Sequence, residues 1–160
     1  MIEKTSRPGD VRRWPGRIPV RHRYTPGVAG EAFFLALRDR GVLLGSRCGR
    51  CDFVYVPARL FCERCFDELA PDTEVGPGGE LVSFTIGFVG IEGEPLEEPV
   101  VLGLVRPDGA DAVLCHLVLE VGDEPLEIGE RVEVVLRPPS ERTASIRDLL
   151  GFRPVERGTS

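Results

Sequence analysis

Between residues 30 and 41 the chain reads GEAFFLALRDRG, and Ala32, Phe33, Phe34, Ala36 and Leu37 fall at helical spacing. Glu31 stands near the start, Arg38 and Arg40 in the last turn and Gly41 just past the end, so charge and cap both fit a short amphipathic helix of about three turns. Its two adjacent phenylalanines widen the apolar face, which serves either a core or the docking of another chain. Ahead of it, residues 5–28 hold four prolines and three glycines with no helical period, the signature of extended coil.

Behind the helix, VLLGSRC predicts a strand leading to Cys48, and FVYVPARLF predicts a return segment. Residues 67–79, DELAPDTEVGPGG, are rich in turn formers and read as a linker. From there the pattern is β: ELVSFTIGFVG, PVVLGLVRP, AVLCHLVLEV and ERVEVVLRP, then RDLLGFRPV, parted by turns such as PDGAD. Alternation puts Val82, Phe84, Ile86 and Phe88 on one face, expected to be the core face, with Ser83 and Thr85 on the other. The second run is apolar on both faces, as in a strand deep inside a closed structure. About five short strands in this length match a five-stranded Greek-key barrel of the OB type, with a sandwich as the alternative. The expected organisation is an extended arm (1–28), a helix with a cysteine hairpin (29–77), a barrel (78–155) and a tail (156–160).

Composition narrows the class. With 42% hydrophobic and 29% charged residues the chain is of ordinary globular type, and no apolar run reaches the roughly 20 residues that span a bilayer. The basic N-terminus has no apolar stretch behind it, so no secretory signal is expected, and the expected compartment is the cytoplasm. Residues 1–28 carry Lys4, Arg7, Arg12, Arg13, Arg17, Arg21 and Arg23 against Glu3 and Asp10, a net of +5 that leaves −11 for the rest of a chain totalling −6. An acidic body repels a phosphate backbone, which counts against a nucleic-acid-binding module, the alternative reading for a metal hairpin joined to an OB barrel.

Four of the five cysteines form two Cys-x-x-Cys pairs, Cys48/Cys51 and Cys62/Cys65, held ten residues apart. In a reducing compartment this spacing favours a metal over disulfides, with redox-active pairs or unpaired thiols as the alternatives. Two knuckles facing each other close a tetrahedral four-thiolate site with no open position, which makes it structural; Zn2+ fits best, and iron satisfies the same geometry. A hairpin of this size buries too little apolar surface to fold alone, and structural zinc supplies on the order of 10–16 kcal/mol. The residue after each second cysteine, where Gly is favoured for its positive φ, is Asp52 and Phe66. Cys115 and His116 sit next to each other, but neighbours on a strand face opposite ways, so Cys115 is expected in the core and His116 on a barrel face. The glutamates of GEPLEEP (93–99) read as a solvated loop. With no Ser-His-Asp arrangement, phosphate loop or dinucleotide fingerprint in the sequence, catalysis by this chain is not expected.

Residues 23–65 (RYTPGVAGEAFFLALRDRGVLLGSRCGRCDFVYVPARLFCERC), 78–86 (GGELVSFTI) and 151–155 (GFRPV) together resemble the DUF35, or acyl-CoA-associated OB-fold, family. VPAR (56–59) stands where the family usually has Pro-Pro-Arg, and Asp52 replaces its common Gly. The resemblance implies a mainly β fold of N-terminal helix, rubredoxin-like zinc ribbon and OB barrel, with the metal on Cys48, Cys51, Cys62 and Cys65. It also implies a non-catalytic accessory subunit that joins a thiolase-fold enzyme in a hetero-oligomer. There it helps to bind or channel an acyl-CoA thioester in carbon–carbon bond formation or cleavage, as in steroid side-chain aldolase chemistry. Arg59 and the arm arginines are the candidate contacts for CoA phosphates.

Overall fold

The computed structural model describes Gly16 and residues 24–90, 92–122 and 125–155. The expectations for the arm ahead of Tyr24 and for residues 156–160 lie outside them. One helix, α1 (Gly27–Asp39), precedes eight strands: β1 (Leu43–Arg47), β2 (Val54–Tyr55), β3 (Thr73–Val75), β4 (Gly78–Val89), β5 (Pro95–Pro107), β6 (Leu114–Leu117), β7 (Arg131–Leu136) and β8 (Leu149–Pro154).

The helix begins a turn earlier than its apolar period indicates, behind Pro26, whose ring holds φ at −69°. Gly27 and Val28, assigned to the arm by sequence, are therefore helical, and Glu31 falls beyond the first turn, which contains no acidic residue. At the far end Gly41 does adopt φ +68°, and its N–H donates to the Ala36 carbonyl. A β-carbon there would also lie 2.7 Å from Arg142 Nη1, so the missing side chain admits a guanidinium to the negative end of the helix.

Three strands in the order β2-β1-β3 form the first sheet, and β3 comes out of the segment expected to be a linker, pairing Leu43 with Val75 and Gly45 with Thr73. Five strands in the order β6-β5-β4-β7-β8 form the second. A parallel bridge from Val118 to Phe152, with Leu119 N–H donating to the Phe152 carbonyl at 2.7 Å, joins its two ends and closes the barrel. Closure of a five-stranded antiparallel sheet in this way is the OB architecture.

The barrel core is Leu81, Val105, Val118, Val132 and Phe152. A second core is shared between the two sheets: Phe33, Ala36 and Leu37 of α1 pack with Leu43, Leu44, Val54, Val56 and Val75, and also with Ala110 and Leu149 of the barrel half. Hydrogen bonds cross the same seam, from Val54 N–H to Asp111 Oδ2 (2.8 Å) and from Gly76 N–H to the Asp108 carbonyl (2.8 Å). The wide phenylalanine face is thus used inward, with Phe33 buried and Phe34 packed at the edge.

Two expectations for the barrel are corrected. A bulge between Leu81 and Ser83 inserts Val82 into β4, and although Phe84 still packs on the core, Ile86 and Phe88 lie past the end of the barrel and are exposed. On β5 the inward residues are Val101, Gly103 and Val105, which leaves Val100, Leu102 and Leu104 outside. Cys115 pairs with Leu104 on that outer face and is exposed, not core. His116 is the residue that turns inward: burial pushes its imidazole below the ordinary value, and its Nδ1 is buried without a partner among the described residues. No helix among the described residues is long and apolar enough to cross a membrane.

Candidate metal centre

The first knuckle leaves β1 at Arg47 and the second follows β2 after Tyr55, so the strand pairing of Ser46 with Tyr55 and Arg47 with Val54 fixes where the cysteines begin. Both turns are built alike. In the first, Cys48 N–H donates to the Phe53 carbonyl (2.9 Å) and Asp52 N–H to the Cys48 carbonyl (2.8 Å); in the second, Cys62 N–H donates to the Asp67 carbonyl and Phe66 N–H to the Cys62 carbonyl, both at 2.9 Å. Asp52 at φ +54° and Phe66 at φ +61° occupy the left-handed region that the knuckle requires. The local sequence departs from glycine at both positions, yet the turns are formed. Asp52 carries an ion pair to Arg47 and Phe66 projects into solvent.

The two turns bring Cys48, Cys51, Cys62 and Cys65 together with all four sulfurs within 4.8 Å of one another, Cys48 and Cys62 buried and Cys51 and Cys65 half-buried. Cys48 Sγ and Cys65 Sγ are 3.6 Å apart. Four sulfurs about 2.3 Å from one tetrahedral ion are about 3.8 Å apart, so the cluster has the dimensions of a zinc-sized site. Four thiols form the cluster, so an ion held by all four would sit in a closed, structural site.

Tyr55, which the sequence pattern shows only as one more apolar strand residue, brings a side-chain hydroxyl to the cluster. Its buried hydroxyl stands 3.3 Å from Cys62 Sγ and accepts from Glu63 N–H at 3.2 Å. The pairing pushes the Tyr55 hydroxyl up to about 12, with burial adding to it. In return Cys62 is pulled down to about 6, by Tyr55 first and then by the N–H groups of Cys65 and Arg64, against burial. Cys51 moves the other way, up to about 12, through its hydrogen bond with Cys65 and through burial. One thiol ionises readily and a neighbour resists, so uptake of an ion must displace protons.

Around the knuckles Phe53 packs on Tyr55 with ring centroids 4.7 Å apart, Arg64 covers the Phe53 face at 4.1 Å, and Arg59 lies over Tyr55 at 5.2 Å while paired with Glu63. Arg59 is therefore occupied by the ribbon itself. Ser46, fully buried, accepts from Arg59 N–H and donates to the Arg59 carbonyl, which ties the loop before the second knuckle to β1.

Comparison with known proteins agrees with this construction. Residues 36–70 match the family model described as ChsH2, rubredoxin-like zinc ribbon domain, and residues 72–137 match that of ChsH2, C-terminal OB-fold domain. A DUF35 domain-containing scaffold protein of Methanocaldococcus jannaschii is 24% identical over 106 residues, covering 63% of this chain and 72% of its own. Among solved structures, a DUF35-family protein of unknown function from Sulfolobus solfataricus aligns with a TM-score of 0.57 at 29% identity, over 68% of this chain and 78% of that one. An Ltp2-ChsH2(DUF35) aldolase aligns with a TM-score of 0.55 at 21% identity, over 78% of this chain and 93% of that one, a likeness of fold.

Proposed function

This chain belongs to the DUF35 family of zinc-ribbon and OB-fold proteins, and from that membership we propose that it is a non-catalytic accessory subunit of a thiolase-fold enzyme. In that role it assists the binding or channelling of an acyl-CoA thioester during carbon–carbon bond formation or cleavage. The observation that carries the reading is that both halves of the chain match the corresponding halves of ChsH2, a protein found in a solved aldolase together with Ltp2. The scaffold role given to the Methanocaldococcus relative points the same way.

Chemistry at the cysteines supports a structural task. A site closed by four thiolates offers no position at which a substrate or water can be activated. What the metal does is fix two knuckles on β1 and β2, which share a core with the helix and the barrel. Arg59, engaged with Glu63 and Tyr55, is a weaker candidate for CoA phosphates than its place in the sequence implies.

The test is purification of the tagged chain from its native source, identification of the co-purifying enzyme, and reconstitution of the pair from purified components. The expected result is a thiolase-fold subunit whose turnover of acyl-CoA rises when this chain is added, while the chain alone turns over nothing. A reconstituted pair with unchanged activity, or turnover by this chain alone, overturns the reading.

A further inference from the structure

The β4–β5 hairpin is longer than the barrel that anchors it. On one side β4 is paired with β7 only from Gly78 to Glu80, and on the other β5 is paired with β6 only from Leu102 to Val105. Among the described residues, positions 83–89 of β4 therefore have β5 as their sole strand partner, and on β5 Pro95 and Val100 pair only with β4, across a register shift between Gly87 and Val89. An isolated two-stranded ribbon is marginal in water, and this one is apolar on both faces. Ile86, Phe88 and Val89 are exposed at its end, the latter two at 62%, and Val100, Leu102 and Leu104 are exposed along its back. Apolar residues left exposed on both faces of an unsupported ribbon mark an interaction site.

Charge selects the occupant. No Lys or Arg occurs between Arg64 and Arg106, whereas Glu92, Glu94, Glu97 and Glu98 ring the hairpin end, all exposed and none ion-paired among the described residues. A second copy docking through the same hairpin would bring these carboxylates face to face, at an electrostatic cost. Nucleic acid and anionic lipid are repelled for the same reason, even though Phe88 offers an exposed ring.

We infer that the free end of the β4–β5 hairpin is the docking element by which this subunit holds its enzyme, inserting Phe88 and its apolar neighbours into an apolar groove rimmed by Lys and Arg. This rests on the accessory-subunit reading and adds to it where the partner binds and what chemistry its surface has.

The experiment uses the full chain with the enzyme that co-purifies with it, rebuilt from purified components. Phe88→Asp and Val100→Asp should each weaken association at least about tenfold while zinc content and circular dichroism stay as in the parent chain. Ile128→Asp, at an equally exposed apolar residue outside the hairpin, should leave it unchanged. Replacing Glu94, Glu97 and Glu98 by Gln should slow association and largely remove its dependence on salt. Hydrogen exchange should show protection of residues 83–101 on complex formation. A complex whose protection falls elsewhere, or that both Asp variants leave intact, overturns the inference while the accessory reading stands. A Phe88-dependent complex with an enzyme of another fold upholds the hairpin and overturns the thiolase-fold reading; no stable complex overturns both. Self-association of the chain that Phe88→Asp disperses, or a rise in exchange at 83–101 on deleting residues 1–23, assigns the surface to another occupant and overturns it as well.

Discussion

The Tyr55 hydroxyl lies 3.3 Å from Cys62 Sγ, buried inside the ribbon. It donates to a sulfur that the metal needs as thiolate, and outer partners of this kind orient a ligand and hold its charge. Tyr55→Phe keeps the ring on Phe53 and removes only the donor. Zinc affinity measured by chelator competition should fall by about 10-fold to 100-fold. An unchanged affinity would show that Tyr55 is packing alone.

Metal removal should act locally first and globally second. Cys48, Tyr55, Cys62 and Leu69 form their own small cluster at the knuckles, whereas α1, Leu43 and Leu44 share a core with Ala110 and Leu149 of the barrel. Cys48→Ser, or chelation of the parent chain, should therefore release amide protection at residues 48–53 and 60–69 while α1, β1 and β2 stay protected together with the barrel. Loss of α1 along with the knuckles, leaving the barrel intact, would show that the shared core does not couple the halves.

Acid should strip the metal by protonating its ligands. Cys62, pulled down to about 6, is ionised at neutral pH without help, but Cys51, pushed up to about 12, is deprotonated only because an ion is there to bind it. As pH falls through 6, protons compete at every ligand, and bound zinc per chain should drop steeply between about pH 6 and pH 4. Zinc content that is flat across this window would contradict an all-thiolate site.

Much of this site was legible in the sequence because metal spacing is a local property: four cysteines at fixed intervals define a ribbon before any fold is known. Tyr55 was not, since its hydroxyl meets Cys62 only once β2 has paired with β1. β3 was hidden because Pro71, Asp72, Gly76 and Pro77 surround three strand residues, and pairing with β1 outweighs that turn chemistry. The expectation for Cys115 failed because alternation gives two faces without saying which is inside, and the bulge at Val82 is likewise set by closure of the barrel, not by its own segment.

A second buried polar group awaits test away from the metal. Asp148, fully buried, accepts from Thr143 N–H at 2.9 and 3.0 Å and from Ser145 N–H at 3.2 Å, and so holds the turn that leads into β8. Burial alone would raise its carboxyl, but the N–H groups of Thr143, Ser145 and Ala144 outweigh it and hold it below the ordinary carboxylate range. A depressed folded value means that this stability is present above about pH 4 and is lost as pH falls through the folded value. Asp148→Asn should cost about 1–3 kcal/mol at neutral pH and make denaturation below about pH 4 less steep. A variant as stable as the parent would mean that the N–H groups find water instead.

Gly45 sits in the middle of β1, between β2 and β3. A β-carbon there would lie 2.4 Å from the Tyr55 carbonyl oxygen and 3.3 Å from that of Thr73, both backbone atoms that cannot swing aside. Gly45→Ala must push β2 away from β1, and β2 is the strand that carries Tyr55 to Cys62. The cost should be about 1–3 kcal/mol, the usual range for overpacking, seen as a melting temperature lower by several degrees. Because the displaced strand also carries the donor to Cys62, zinc should dissociate faster from Gly45→Ala than from the parent chain. Instability without faster zinc loss would separate the sheet from the metal site, and faster loss without instability would place the strain at the knuckles alone.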